Sequence, residues 1–356
     1  MFRVHQLRSA MTGLVAMSAL LLVPLAQADS AQSTDYAQRS APKGQAAKSE
    51  KNKPYPKLTA PIERARIIAA LRQDYEPNPA IWRMADEDTT IYLFGTVHVL
   101  HRDFKWRSDA VDAVIAEADS LVLETTEEQE QEMLNVDLFT SMFEATAERG
   151  VLSAKLDKDN RPKLAKLAGQ IGLPVPVVEH MPVWLLTFFT FYETAEDFGS
   201  VNEYGVETVL TRLFKRAGKP ISAIEDGEAV MAAMNSLDET EMIAELNTAL
   251  SKWSGRGPLF GEAEQIRDPA AYYADDHGWA KGDTSAMEAG LTREELGDAF
   301  YNVLLADRNR AWAEWLDDRM DKPGTVLVAV GAGHLAGPDS VQVMLDKRGL
   351  KTERIR

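Results

Sequence analysis

A repeated unit constrains this chain more than anything else in it: an apolar run that stops at a glycine and delivers a histidine three residues later. The first copy lies within Ile91 to His101, IYLFGTVHVLH, with Gly95 and His98; the second begins at Thr325, TVLVAVGAGHLAG, with Gly331 and His334. Short β-branched and apolar runs bounded by glycine read as buried strands, and glycine admits backbone geometry that most residues avoid. Each Gly-x-x-His therefore sets an imidazole just past the carboxyl end of a strand, the edge where ligand sites collect in open α/β sheets. Two further strand-like runs end in acids: Ser120 to Glu124 reads SLVLE, and Ile221 to Glu225 reads ISAIE. With these four strands as parallel neighbours, His98, Glu124, Glu225 and His334 converge on one rim. Two imidazoles and two carboxylates suit a divalent metal, or acid–base work without one.

The flanking sequence sets the compartment and the partners. Arg3 and Arg8, the apolar run from Met11 to Ala26 and the A-x-A site Ala26-Gln27-Ala28 make residues 1–28 a secretory signal peptide, which implies a periplasmic, secreted protein. The run is shorter than the ~20 residues of a membrane-spanning helix, so no stable membrane span is expected after cleavage. Residues 29–61, rich in Ala, Gln, Ser, Lys and Pro, read as a disordered linker, and 62–356 as a single domain. The formal charge is -16, from 39 basic and 55 acidic residues; losing Arg3 and Arg8 leaves 37 against 55, or -18. That surface repels nucleic acid and anionic lipid, and nucleic acid is excluded as a partner. The chain has no cysteine, so His and carboxylates are its only strong metal ligands.

Along the domain, residues 80–100 read as two strands around the turn Asp86-Glu87-Asp88, followed by a helix over 108–118 that leads back to the strand ending in Glu124. Helical spacing dominates 127–215, with segments at 133–149, 161–171, 183–192 and 206–216. The aromatic segment VWLLTFFTFY, 183–192, reads as a core helix; ten residues cannot span a bilayer. A long helix is expected over 291–320, then the last strand, a helix near 341–347 and a short tail at 352–355. The five remaining histidines (98, 101, 180, 277 and 334) form no compact zinc signature such as H-E-x-x-H, and only His98 and His334 share the strand, glycine, histidine context. For Glu124 and Glu225 the alternative is a helix cap, a role for which Thr125, Thr126 and Asp226 are equally suited. Arg308 and Asn309, in the stretch Asp307-Arg308-Asn309-Arg310, either hold a carboxylate or an oxyanion or are solvated helix residues.

YLFGTVHVL, the glutamate of LVLE, the IED segment, DRNRAW and VAVGAGHL together resemble the TraB/GumN family, related to the Tiki metalloproteases and more remotely to ChaN-like and erythromycin-esterase-like proteins. The resemblance runs from about Ile81 to the C-terminus. It implies an α/β fold, a mixed, largely parallel central sheet with a large helical insertion, and carries His98, Glu124, Arg308, Asn309 and His334 over as motif residues. Glu207, in Gly205-Val206-Glu207, stands where relatives often have Gly-x-Asp. Tiki relatives are metal-dependent peptidases and ChaN-like ones bind haem. The expectation is a secreted metal-dependent hydrolase cleaving a peptide or small-molecule substrate. His98, His334 and Glu124 are its expected ligands to Zn, Mn or Co, with Glu124, Glu225, Arg308 and Asn309 as catalytic residues. The alternative is a non-catalytic periplasmic binding protein for a metal, haem or peptide.

Overall fold

Continuous apolar runs and β-branching decide the centre of the molecule. Ile81–Ala85 (β1) and Thr89–Thr96 (β2) pair antiparallel around the acidic turn 86–88, where Asp86 accepts hydrogen bonds from the backbone N–H groups of Asp88 and Thr89. The computed structural model describes residues 61–133, 150–255, 259, 268–288 and 291–356. The expected signal peptide lies outside these residues, as does the linker except for Pro61, which opens the helix Pro61–Ala70; the expected helix over 133–149 also lies outside them except for Met133.

Leu100–His101 (β3) and Ser200–Val201 (β5) make a small two-stranded sheet. The main sheet adds Ser120–Leu123 (β4), Ile221–Ala223 (β6), Gly324–Gly331 (β7) and Glu353–Arg354 (β8), in the order β6-β4-β7-β2-β1-β8. The run β6, β4, β7, β2 is parallel throughout; β1 and β8 add an antiparallel edge. This is the expected α/β architecture, a largely parallel mixed sheet with helical segments inserted between its strands. The two glycine-ended strands are neighbours in register, Gly95 opposite Val330 and Thr96 opposite Gly331. Because parallel strands share one direction, the carboxyl ends of all four lie on one edge.

Ile81, Ile91, Leu93, Phe94, Leu121, Leu327, Val328 and Val330 are buried in the core. A side chain of this kind gains ~1.5–3 kcal/mol on full burial, which is why these near-continuous apolar strands require cover on both faces. The cover comes from helices between the strands, among them Asp109–Glu117, Val206–Ala217 and Asp307–Met320. The aromatic segment is the core helix Val183–Asp197, with Trp184, Phe188, Phe189 and Phe191 buried.

Two expectations are corrected. Gly95 and Gly331 are not in left-handed backbone: Gly95 lies inside β2 and Gly331 has φ -49°. Gly95 is needed for space, since a Cβ there would stand 3.0 Å from the Ala332 Cα and 2.9 Å from the Met287 Cε. The helix expected over 291–320 is broken: Gly297, at φ 75°, separates Arg293–Leu296 from Asp298–Tyr301, and a π turn at Asn302–Ala306 leads into Asp307–Met320. Apolar periodicity persists through the break, whereas the backbone does not.

Candidate functional site

Both glutamates at the strand ends are released from capping by their neighbours. After β4, the Thr126 hydroxyl accepts the Gln129 N–H while the Gln129 side chain accepts the Thr126 N–H, a reciprocal cap. After β6, Asp226 caps the helix Gly227–Asn235 by accepting the N–H groups of Glu228, at 2.9 Å, and Ala229, at 3.4 Å. Glu124 and Glu225 are thereby left to turn toward the rim.

There they meet Arg308. Its Nη2 donates to Glu124 Oε2 and, at 2.6 Å, to Glu225 Oε1, while its Nε donates to Glu225 Oε2 at 2.9 Å. The Arg308 Nη1 donates to the Leu304 carbonyl at 3.1 Å, within the π turn that precedes it. Trp312, one helical turn beyond Arg308, donates its Nε1–H to Glu225 Oε2 at 2.9 Å, and Glu124 Oε1 accepts the Gly331 N–H at 2.7 Å. Arg308 is 6% exposed and Glu124 0%. Burial pushes the Glu225 carboxyl above the ordinary carboxylate range, against the opposing pull of the Arg308 charge.

His334 joins the same cluster, and its partners fix its tautomer. The Asn309 Nδ2 donates to the Asp339 carbonyl at 2.8 Å, which turns its Oδ1 toward His334 Nδ1, 2.6 Å away. An amide oxygen only accepts, so Nδ1 carries the proton. Arg308 only donates, and its Nη1 lies 3.1 Å from His334 Nε2, so the lone pair is on Nε2. The indole of Trp312 packs against the imidazole with ring centroids 4.3 Å apart.

His98 has different neighbours on the same edge. Its Nδ1 is 2.7 Å from Glu207 Oε1, which also accepts from the Thr96 hydroxyl. Glu207 sits in the first turn of Val206–Ala217, where the helix dipole favours a carboxylate, and the Val206 N–H donates to the Val97 carbonyl at 3.0 Å. Gly205 makes this approach possible, because a Cβ there would overlap the His98 carbonyl. Nearby, Thr125 donates to Glu130 at 3.1 Å, and burial raises Glu130 to about 8.

The structure thus gathers Glu124, Glu225, Arg308, Asn309 and His334 into one buried network and pairs His98 with Glu207. Trp312, Thr96 and Glu130 were not anticipated; the spacing of Trp312 four residues after Arg308 was the available signal for the first. The remaining histidines serve the scaffold. His101 accepts the Asp103 N–H and is pulled below its ordinary value by burial, His180 lies 2.7 Å from the Pro176 carbonyl, and His277 joins Tyr75 to the Ala70 carbonyl.

One pair has donor types that suit a divalent ion, although both facing atoms already accept hydrogen bonds, His334 Nε2 from Arg308 and Glu124 Oε1 from the Gly331 N–H. His334 Nε2 and Glu124 Oε1 are 3.9 Å apart, a span that two metal bonds of ~2.1 Å can bridge. The Nδ1 contacts of His98 and His334 to Glu207 and Asn309 resemble the outer hydrogen bonds that orient metal-binding imidazoles. Among the described residues, however, no three His, Asp or Glu side chains stand together as a ready metal group. An open cleft of ≈ 560 Å³, lined by Thr126, Gln129, Ala223, Ile224, Glu225 and Asp226, adjoins the network.

No solved structure matches the chain significantly. Two similar proteins are the uncharacterized protein YbaP of Escherichia coli (strain K12) and that of Shigella flexneri, each 23% identical over 279 residues, covering 78% of this chain and 96% of the relative. The model of the TraB/PrgY/gumN family matches residues 80–354, a range that takes in every strand of the main sheet and every residue of the network, and this chain belongs to that family.

Proposed function

We propose that this protein is a secreted, periplasmic metal-dependent hydrolase that cleaves peptide bonds at the carboxyl edge of its parallel sheet. The observation that carries the reading is the buried Glu124–Arg308–Glu225 network with the Nε2 lone pair of His334 directed at the same guanidinium. Ionisable groups held so far from water are costly, and such groups concentrate where chemistry is done. His334 and Glu124 would hold a divalent ion, Zn, Mn or Co, with His98 as a further ligand. When bound, such an ion polarises the scissile carbonyl and lowers the pKa of water. Glu225, raised by burial, accepts the proton of the attacking water and passes it to the leaving amine. Arg308, whose five N–H donors are all engaged within the network, keeps Glu225 aligned, while Asn309 holds the His334 tautomer.

The alternative, a non-catalytic periplasmic protein that binds a metal, haem or peptide, draws on one observation: Arg308 already compensates both carboxylates, so the cluster needs no turnover to account for it. Incubating the purified protein with a peptide library, with chelator and with Zn, Mn or Co restored, separates the two. Cleavage that disappears with chelator and in Glu225→Gln supports the hydrolase; metal or peptide binding with no cleavage under any ion overturns it. Export is tested by N-terminal sequencing, with a mature terminus at or near Asp29 expected and an intact Met1 on cytoplasmic material counting against it.

A further inference from the structure

The two edges of the main sheet are built differently. At one end β8 presents Glu353 and Arg354, both charged and exposed, the usual protection of an edge against added strands. At the other end β6 presents Ile221, Ser222 and Ala223, with no charge and no proline within it. Its pairing faces β4 alone among the described residues. The Leu121 N–H donates to the Pro220 carbonyl and the Ile224 N–H to the Leu123 carbonyl, so the peptide groups of alternate residues point at β4 and those of Ile221 and Ala223 point outward. Ser222, between them, is exposed. The edge leads directly into the cleft, since Ala223, Ile224 and Glu225 line it, and Glu225 belongs to the Arg308 network.

We propose that β6 receives an extended peptide as an added strand and feeds its backbone into the cleft beside Glu225. Main-chain hydrogen bonds to Ile221 and Ala223 would give affinity without regard to sequence, as in other strand-addition complexes. Selection would fall on the side chain entering the cleft. Of the two acids in the lining Glu225 is compensated by Arg308, and with no basic residue there the carboxylate of Asp226 sets the charge, so neutral or basic side chains are favoured and acidic ones disfavoured. Strand addition deepens the hydrolase reading and rests on it for the peptide nature of the ligand.

The test uses the full chain with chelator present, so that binding is read apart from turnover. The probe is a fluorescein-labelled random decapeptide library, compared with the same library N-methylated at alternate amides. Anisotropy should show binding of the unmodified library and a loss of at least about tenfold on N-methylation, since several backbone hydrogen bonds go at once. Hydrogen exchange should slow at Ile221–Ala223 on binding. Ala223→Pro removes one outward N–H at a position where an edge strand tolerates proline, and should weaken binding comparably. Equal binding of the two libraries, no protection at β6, or no binding of either library overturns the proposal, and the library comparison stands even if the proline variant fails to fold. Cleavage is scored separately with metal restored. Protection of β6 without cleavage leaves the docking strand and removes the hydrolase; cleavage indifferent to N-methylation and to Ala223→Pro does the reverse.

Discussion

Arg308 is the residue on which the cluster depends. It is the shared partner of Glu124, Glu225 and His334, and replacing it with methionine would leave two buried carboxylates facing one another without a cation. Breaking a buried ion network from one side costs ~3–5 kcal/mol, so Arg308→Met is expected to shift the urea midpoint by that equivalent. Arg308→Lys, which keeps the charge and loses the planar fork, should fall between. An Arg308→Met protein as stable as wild type would show that the carboxylates are not held as ions. Glu130 supplies a second test. Burial is the main cause of its rise from 4.5 to about 8, the Thr125 hydroxyl opposes it, and the carboxylates of Glu127, Glu207 and Glu128 add to it. An acid whose folded value lies above its unfolded one holds its proton longer in the folded state, so stability falls as pH rises from about 4.5 to about 8. Glu193, raised by burial to about 7, acts in the same direction. Glu130→Gln should therefore flatten the decline of melting temperature across that window; a decline as steep as in wild type would place the proton elsewhere. His98, Glu124, Glu225 and His334 stood out in the sequence as candidates because each lies at or just past the end of a short apolar run. Spacing left Arg308 and Asn309 open between a site and a solvated helix, and only the family resemblance singled them out. The partners of these residues were not legible, since Arg308 reaches Glu124 across 184 positions, and only the strand order decides such a meeting.

At the scale of elements, the parallel strands were legible because they are short, apolar and separated by helical spacing. The role of their glycines was not. Whether a glycine supplies unusual φ or merely room depends on what packs against it, and at Gly95 the neighbour is Ala332, in a turn far along the chain. Gly205 belongs to the same class and carries a prediction. It begins the helix Val206–Ala217 directly against the His98 carbonyl, and a Cβ there meets backbone, which cannot swing aside as a side chain would. Gly205→Ala should push the helix start away from the β2 loop, loosening both the Val206–Val97 hydrogen bond and the contact of Glu207 with His98. Overpacking of this kind costs ~1–3 kcal/mol. Thermal melts should show the loss, and the His98 ring resonances should shift in nuclear magnetic resonance spectra; an unchanged melt and unchanged resonances would mean that the helix start has room to yield. The break at Gly297 escaped the sequence reading for a related reason: apolar spacing on both sides continues in phase, so the pattern alone does not reveal where the backbone stops being helical.

For the whole molecule, the question is how the sheet ends. β8 closes the antiparallel side, with Trp82 opposite Arg354 and Arg83 opposite Glu353, and the Ile355 N–H donates to the Ile81 carbonyl at 2.9 Å. The Arg354 guanidinium lies 5.7 Å from the Trp82 ring centroid and donates to the Gly282 carbonyl, tying the C-terminal tail to the end of the helix Ala274–Ala280. The tail is short, yet it covers the backbone of β1, whose Ile81, Trp82 and Met84 are all buried. Deleting residues 352–356 would turn β1 into an edge strand with unsatisfied peptide groups beside apolar side chains. Losing two or three backbone hydrogen bonds and one cation–π contact is expected to cost ~1–3 kcal/mol, or several degrees in melting temperature for a domain of this size. The exposed edge should also pair with other copies, which the charges of Glu353 and Arg354 oppose in the intact chain. Light scattering on the truncated protein should therefore show a larger mass than the full-length chain at equal concentration, rising with temperature. A truncated protein with the same melting temperature and the same mass would show that β1 needs no cover, and that the charged tail protects nothing.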